Sequence, residues 1–413
     1  MRWIIGILGL LIGTPVWAGI YCGIEPIAPL PTQMRGFLLD HRLLRALTLP
    51  PQSGLPESLL KQTYRQTLRQ LLDLGATRPL TATELADVTA LQLRLGEASA
   101  VVARLAPLSR QFADDHRIQS HLALAWFLQG DLARAIPLQQ LAWELSPQEF
   151  REAERALLRL MQSRARNPKS DGLDPILTLP ATPSDADLTA AVATLQRVAL
   201  WLPADGRVLW QLGERVFQLG DLRTAVAILD GCVGEFALGN PELRRNRTKW
   251  REELDRIEAD PMGHLQARTR LAAKSNRPLL RRFDPAILPK IQPTGITPLP
   301  WPILGETSMG NRFPPRYPDY VTRLNGRRVQ LTGFIQPVGD DPNGGTVILL
   351  EFPIGCWFCE TPDFTGMIAV KLPPDRKITP RQAVQIEGKF RLNFENPEDY
   401  LFELDEVRIG AIE

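Results

Sequence analysis

The stretch from Thr346 to Leu372 reads TVILLEFPIGCWFCETPDFTGMIAVKL, and it decides how the C-terminal part of the chain folds. An apolar run at each end encloses a short loop that contains Cys356-Trp357-Phe358-Cys359. Short apolar runs bounded by turn residues are typical of strands in a buried sheet. We therefore predict a tight loop between two strands. If the chain has chemistry of its own, this loop is the place for it.

The pair Cys356 and Cys359 admits three interpretations. A structural disulfide would clasp the loop and give local rigidity, because so small a ring gains little from loop entropy. A redox-active dithiol usually opens a long helix whose N-terminus lowers the thiol pKa, and here a proline, a glycine and a strand follow instead. Half of a zinc site would need a second pair of ligands, but the four histidines lie in the helical region or the linker. We favour the disulfide and predict no metal or other cofactor.

The two aromatic residues between the cysteines have two possible roles. Trp357 and Phe358 at a projecting loop tip would be a handle for a protein partner. The same side chains would otherwise plug the end of a barrel, and the sequence does not choose between these roles. No catalytic signature such as GxSxG, a Walker loop or HExxH is present. His116 and His121 are five residues apart, so they are not expected on one helical face.

Five alternating patterns in the last hundred residues predict strands. A glycine within the first of them, Gly333, suggests a bulge or a sharp bend. Five short antiparallel strands predict a small barrel of the OB (oligonucleotide/oligosaccharide-binding) type. The predicted strands are Arg328–Val338, Thr346–Phe352, Met367–Leu372, Ala383–Leu392 and Tyr400–Ile409.

A family resemblance rests on this region. The strings LNGRRVQLTGFIQP, CWFCETP and VQIEGKFRL, in this order, resemble an uncharacterised family of exported bacterial domains with an OB-like fold. The resemblance covers about the last 95 residues. It implies the fold and implies no activity. An OB-like barrel can bind nucleic acid, but predicted export and the lack of a basic, aromatic strand face argue against that partner.

The middle of the chain contains a helical repeat. Gly96-Glu97 and Gly130-Asp131 stand 34 residues apart, and each follows one amphipathic pattern and precedes another. Small residues would let two helices approach closely, a glycine would permit the turn between them, and a proline would stop the second helix. In residues 116–149 these packing positions are Ala123, Trp126, Gly130, Ala135, Ala142 and Pro147, and in residues 206–239 they are Gly213, Gly220 and Ala225 with Cys232.

This pattern resembles the tetratricopeptide repeat, whose period is 34 residues. The resemblance implies protein–partner binding along a concave groove, and it implies no catalysis. The unit at 82–115 is degenerate, and the segment at 171–187 interrupts the phase as a loop whose Ser184 is expected to cap the next helix. The charged stretch at 241–259 is expected to be a solvating terminal helix, with a basic patch for an anionic partner as the alternative.

The first residues resemble an export signal. Arg2 precedes an apolar run of about a dozen residues, and Val16-Trp17-Ala18 suits cleavage after Ala18. The run is shorter than the roughly 20 residues of a membrane span. We therefore expect an extracytoplasmic, periplasmic protein, which contacts the membrane only through this segment if it stays uncleaved. In such a compartment thiols tend to oxidise, although Cys232 is best explained as a small buried apolar residue.

The predicted organisation is a multi-domain α + β protein of 413 residues with a net charge of +2. It comprises a signal peptide (1–18), an irregular segment with a short helix (19–58), tetratricopeptide-like repeats with a capping helix (59–260), a proline-rich linker (261–318) and an OB-like barrel (319–413). The near-neutral charge gives no bias towards nucleic acid or a membrane surface. We predict a protein-interaction scaffold, with a thiol–disulfide redox protein that uses Cys356 and Cys359 as the alternative.

Overall fold

The protein combines a helical part with a closed five-stranded β-barrel at its C-terminal end, so the fold is mixed α + β. The computed structural model describes residues 20–23, 25, 30, 34–49, 57–259, 286, 288–308, 313–337, 345–351, 364–372 and 383–411. The helices of the first part are α1 (Met34–Thr48), α2 (Leu59–Thr77), α3 (Ala82–Arg94), α4 (Ala98–Leu105), α5 (His116–Leu128), α6 (Leu132–Leu145), α7 (Gln148–Arg166), α8 (Asp185–Trp201), α9 (Gly206–Gln218), α10 (Leu222–Gly234) and α11 (Pro241–Ala259).

Local sequence signals define where these helices begin. Thr81 and Ser184 form capping boxes at the starts of α3 and α8, so each side chain accepts a hydrogen bond from a backbone N–H that the helix leaves unpaired. The predicted role of Ser184 as a cap is thereby confirmed. Aspartates cap most of the paired helices, because a carboxylate both accepts from the N–H groups and complements the helix dipole. These aspartates are Asp115, Asp131, Asp205 and Asp221.

The sharp corners between successive helices depend on glycine. Gly96, Gly130 and Gly220 have φ angles of 79°, 82° and 82°, in the left-handed region that side chains disfavour. They separate α3 from α4, α5 from α6 and α9 from α10, and each corner folds one helix back onto the next. One continuous hydrophobic core runs through α1 to α11, and the partly charged α11 contributes Leu243, Trp250 and Leu254 to it.

The basic residues of α11 are partly neutralised by a neighbouring helix. Arg247 and Arg251 both pair with Asp230 of α10, the first at 2.6 Å. The ring of Trp250 stacks on Phe217 of α9 with centroids 4.0 Å apart. The helix therefore packs one apolar side onto the array and exposes most of its charges.

The barrel strands are β2 (Arg328–Pro337), β3 (Thr346–Leu350), β4 (Met367–Lys371), β5 (Ala383–Leu392) and β6 (Phe402–Ala411). Their order around the barrel is β2-β3-β4-β6-β5, and β2 pairs with β5 to close it. All neighbours are antiparallel except β4 and β6, which are parallel. The last strand lies two residues further along the chain than the sequence pattern at Tyr400–Ile409 predicted.

Gly333 lies where β2 changes partner. The strand pairs with β5 from Arg328 to Phe334 and with β3 from Phe334 to Pro337. A Cβ atom on Gly333 would stand 2.6 Å from the carbonyl oxygen of Leu350. Glycine is therefore required for the close approach of two backbones where β2 passes from one neighbouring strand to the other.

Residues from the proline-rich stretch complete the barrel core. A short strand, β1 (Thr297–Pro298), pairs in parallel with β2, and a one-turn helix, α12 (Trp301–Leu304), follows it. The Trp301 indole donates to the carbonyl of Thr332 at 2.7 Å, which agrees with its expected role as an anchor. A second short helix, α13 (Asp319–Leu324), leads into β2. The barrel core thus includes side chains that precede residue 319.

Candidate functional site

The loop that the sequence singles out is not among the residues that the structure describes. Cys356, Trp357, Phe358 and Cys359 all fall in the gap between residues 351 and 364, and the predicted signal peptide precedes the first described residue. The disulfide, the partner-binding aromatics and the redox alternative therefore stay predictions.

The repeat-packing positions all lie at helix contacts or corners. A Cβ atom on Gly213 would stand 2.7 Å from Leu229 Cδ1, so α9 and α10 approach closely there. Pro147 is the residue that precedes α7. Trp126 is partly buried, and the guanidinium of Arg134 lies 4.4 Å from the centre of its ring. The small residues Ala123, Ala135, Ala142, Ala225 and Cys232 are fully buried, and for Cys232 this confirms the expectation.

A cluster of buried polar side chains surrounds residues 20–23 and 25, which we call the N-terminal segment. Ile20, Tyr21 and Cys22 are buried at 3%, 2% and 1% exposure, although no helix or strand contains them. Side chains from α2, α3, α5 and α7 hold the segment, and we call this set of contacts the segment site.

The imidazole of His121 binds the main chain of the segment. The Tyr21 N–H donates to His121 Nε2 at 2.8 Å, so this nitrogen is unprotonated and Nδ1 carries the hydrogen. Nδ1 donates in turn to Thr89 Oγ1, 2.8 Å away on α3. The Thr89 hydroxyl donates in turn to the carbonyl of Leu85 in the same helix, 3.0 Å away. Burial lowers the pKa of His121 to about 3, so the ring stays neutral and its acceptor stays available.

Glu154 of α7 binds the side chain of Tyr21. The phenol donates to Glu154 Oε1 at 2.7 Å, Ser120 of α5 donates to the same oxygen at 3.0 Å, and Gln139 of α6 donates to Oε2. Burial raises the pKa of Glu154 to about 7, although these three donors and the charge of Arg197 on α8 act to lower it. The tyrosine ring contacts His116 edge-on, with centroids 4.6 Å apart. The segment site therefore contacts both the ring and the hydroxyl group of Tyr21.

A second main-chain contact lies two residues further along. The Gly23 N–H donates to Asp87 Oδ1 at 2.6 Å. Partial burial raises the pKa of Asp87, while the Gly23 N–H and the charge of Arg117 act to lower it. The contact fixes the chain direction, because Tyr21 and Gly23 both present their N–H groups to side chains of the array.

Glu25 ends the segment in a buried ion pair. Its carboxylate receives two hydrogen bonds from the Arg94 guanidinium, at 2.8 and 2.7 Å, and both side chains are 2% exposed. Tyr64 of α2 donates to the same carboxylate at 2.6 Å. Arg94 also donates to the carbonyl of Leu200 on α8. Burial acts to lower the pKa of Arg94, but the charge and the hydrogen bonds of Glu25 outweigh it and the pKa is raised.

Sequence reasoning missed these residues. It set His116 and His121 apart because of their spacing, yet both rings contact Tyr21. The available signal was Glu154 itself, a carboxyl group within the apolar pattern of α7, because a buried carboxyl group needs hydrogen-bond partners.

A separate cavity of about 280 Å³ lies between α2, the proline-rich stretch and β2. Leu60, Leu299 and Trp301 give it mostly apolar walls, and the half-buried Glu351 adds a carboxyl group. Burial raises the pKa of Glu351 to about 7, and the charge of Arg42 acts against this shift. The cavity is near the lower size limit for ligand pockets.

Comparison with known proteins gives no family for this chain: no protein-family model matches it, and no curated protein matches it. Within the described residues, no helix is long and apolar enough to cross a membrane. Over the same residues, no three histidine, cysteine or acidic side chains are grouped as metal ligands.

Proposed function

We propose that this protein is an extracytoplasmic interaction scaffold, in which the helical array holds a protein partner and the C-terminal barrel positions or recognises a second one. One observation carries the proposal. Helices α2, α3, α5 and α7 hold a segment outside regular secondary structure through two of its backbone N–H groups and two of its polar side chains. A helical surface that binds a chain in this manner suits the recognition of a peptide.

The geometry of the helices supports a tetratricopeptide-like array. Helices α3 and α5 begin at Ala82 and His116, 34 residues apart, which equals the period of that repeat. The residues that contact the N-terminal segment lie mainly on α3, α5 and α7, and α3 and α5 are each the helix that precedes a glycine corner. In tetratricopeptide proteins the corresponding helices line the groove where partners bind.

The strand order supports an OB-like barrel. Five strands close with the order first, second, third, fifth and fourth, and the third and fifth strands are parallel. Such barrels recognise extended ligands through one face and the adjoining loops. The loop with Trp357 and Phe358 follows β3, and we assign it to the contact with the second partner.

Export is part of the proposal. Cleavage after Ala18 would leave Gly19 as the mature N-terminus, directly before the buried Ile20. The N-terminal segment would then be the first part of the mature chain. Edman sequencing of the protein recovered from the periplasm of an expression host would find Gly-Ile-Tyr, and a sequence starting at Met1 would contradict export with cleavage.

The experiment that tests the scaffold function is site-specific photo-crosslinking in the cell envelope. A photo-reactive residue replaces Glu149, an exposed residue next to Phe150, whose ring lies 5.8 Å from Tyr21. The matched control carries the same residue at Glu144, which is exposed on α6. We expect a discrete adduct with another envelope protein from position 149 and none from position 144. Equal adducts from both positions, or none from 149, would contradict the proposal.

A further inference from the structure

We propose that the segment site is a sequence-specific peptide site, and that the N-terminal segment is its intramolecular ligand. The site takes a peptide in which a tyrosine is followed four residues later by a carboxylate. This inference rests on the proposed function and deepens it, since it names the class of partner that the helical array recognises: a short peptide with the pattern of Tyr21, Gly23 and Glu25.

Tyr21 is the first anchor, and its hydroxyl is part of what is recognised. The phenol donates to the buried carboxyl group of Glu154, to which Ser120 and Gln139 also donate. A phenylalanine would fill the same volume but would remove one donor from a buried carboxyl group. Sites built to hydrogen-bond a hydroxyl discriminate against ligands that lack it, because their own polar groups then stay unpaired.

Glu25 is the second anchor. Arg94 is 2% exposed, and the carboxylate of Glu25 is its ion-pair partner in the described chain. A guanidinium cannot lose its proton in a protein, so without a carboxylate it would be a buried, uncompensated charge. The site therefore demands an anionic group at this distance from the tyrosine.

Between these two anchors, side chains of the array bind the backbone of the segment. The Tyr21 and Gly23 N–H groups bind His121 and Asp87, and the Glu25 N–H closes a turn onto the carbonyl of Cys22 at 3.0 Å. A Cβ atom on Gly23 would stand 3.2 Å from Asp87 Oδ1, so glycine gives the best fit here. The turn sets the spacing between the tyrosine and the carboxylate.

These contacts differ from those of a segment that only fills a core. Core filling needs apolar burial alone, and each buried polar group adds a desolvation cost that only a matched partner offsets. Here five side chains on four helices of the array form hydrogen bonds with one short segment. They are Tyr64, Asp87, Arg94, His121 and Glu154. Matched polar partners at fixed spacing are what gives a peptide site its specificity.

The test uses the full chain and changes only the peptide. A protease recognition sequence is inserted between Ala28 and Pro29, the mature protein is cut there, and the released N-terminal fragment is exchanged for a labelled synthetic peptide of residues 19–28. Fluorescence anisotropy under argon gives the dissociation constant. Three further peptides carry Tyr21→Phe, Glu25→Gln or a scrambled order of the same residues.

We expect the parent peptide to exchange and to bind saturably. The Tyr21→Phe peptide should bind about fivefold more weakly, because it lacks one neutral hydrogen bond. The Glu25→Gln peptide should bind about thirtyfold more weakly or worse, because Arg94 loses its counter-charge. The scrambled peptide should not bind at the concentrations used.

Three results would overturn the inference. The cut fragment could fail to exchange at all, or the chain could unfold when the fragment leaves, and either would make the segment an integral part of the core. Equal binding of all four peptides would show that the site has no sequence specificity. Each of these leaves the photo-crosslinking test of the scaffold function unaffected, so the two claims fail separately.

Discussion

Glu154 is a single carboxyl group on which opposite influences act. Burial raises its pKa to about 7, while Tyr21, Gln139 and Ser120 donate to it and Arg197 adds a positive charge nearby. Its folded pKa is above its unfolded value, so the folded state binds the proton more tightly. The contribution of this group to stability is therefore fully present below about pH 4.5 and is lost as the pH rises towards 7.

The variant Glu154→Gln should remove this pH dependence. Between pH 4.5 and pH 8 the parent should lose up to about 3 kcal/mol of its free energy of unfolding relative to the variant. The figure follows from the raised pKa, since one pKa unit corresponds to about 1.36 kcal/mol. Urea unfolding of the full chain, followed by circular dichroism at several pH values, measures the shift. Parallel pH curves for the two proteins would show that Glu154 does not titrate in this range.

The cysteine pair is tested by its reduction potential. We expect Cys356 and Cys359 to form a structural clasp with a potential below about −300 mV, because the sequence after the pair provides no activating helix. Equilibration of the full chain with glutathione and dithiothreitol buffers, followed by thiol alkylation and mass spectrometry, gives the value. A potential between about −120 and −270 mV would favour the redox alternative.

At the scale of single elements, each helix corner depends on one backbone conformation. Gly130 has a φ of 82° and no atom near the place of a Cβ, so only backbone strain opposes a side chain there. Gly234, the last residue of α10, also has open space around it but no positive φ. The two glycines thus separate the effect of conformation from the effect of crowding.

Gly130→Ala should lower the free energy of unfolding by about 1–2 kcal/mol, the cost of a left-handed conformation for an L-residue. Gly234→Ala should leave stability unchanged or raise it slightly, because alanine has the higher helix propensity. Thermal unfolding of both variants provides the comparison. Similar losses in the two would contradict the assignment of Gly130 to a strained corner.

Gly333 lies where the backbones of β2 and β3 approach closely. Gly333→Ala should destabilise the barrel by about 1–3 kcal/mol or more, because the new methyl group would meet the Leu350 carbonyl at 2.6 Å. Gly345→Ala is the matched control, with open space at the start of β3. Hydrogen exchange of peptides from β5 and β6 reports the effect, and unchanged exchange in the Gly333 variant would refute the close approach.

The elements were predictable from the sequence to different degrees. Helix caps such as Ser184 and the strands at Thr346 and Ala383 follow from local chemistry, because hydrogen-bonding side chains and alternating burial act within a few residues. The pairing of Thr297 with β2 did not follow, since a two-residue strand leaves almost no periodic signal.

At the scale of the whole molecule, the segment site was out of reach of sequence reasoning. Tyr21 and Glu154 are 133 residues apart, and Glu25 and Arg94 are 69 apart. No local pattern connects such positions, because their contact depends on how several helices stack. The residues before α1 therefore have no regular pattern in the sequence, although Ile20, Tyr21 and Cys22 are each 3% exposed or less.

A peptide site of this kind requires that the N-terminal segment lies in the segment site yet can leave it while the helical array stays folded. Local opening of this kind has a lower free energy than global unfolding. The Tyr21 and Gly23 amides report it directly, since both are hydrogen-bonded to side chains of the array.

The decisive measurement is hydrogen–deuterium exchange of residues 20–25 in the full chain, with and without an excess of the synthetic peptide of residues 19–28. We expect these amides to be protected relative to the free peptide, to exchange faster than those of α5 and to lose protection when the peptide competes. Amides as protected as α5 and unaffected by the peptide, or amides without protection, would contradict it.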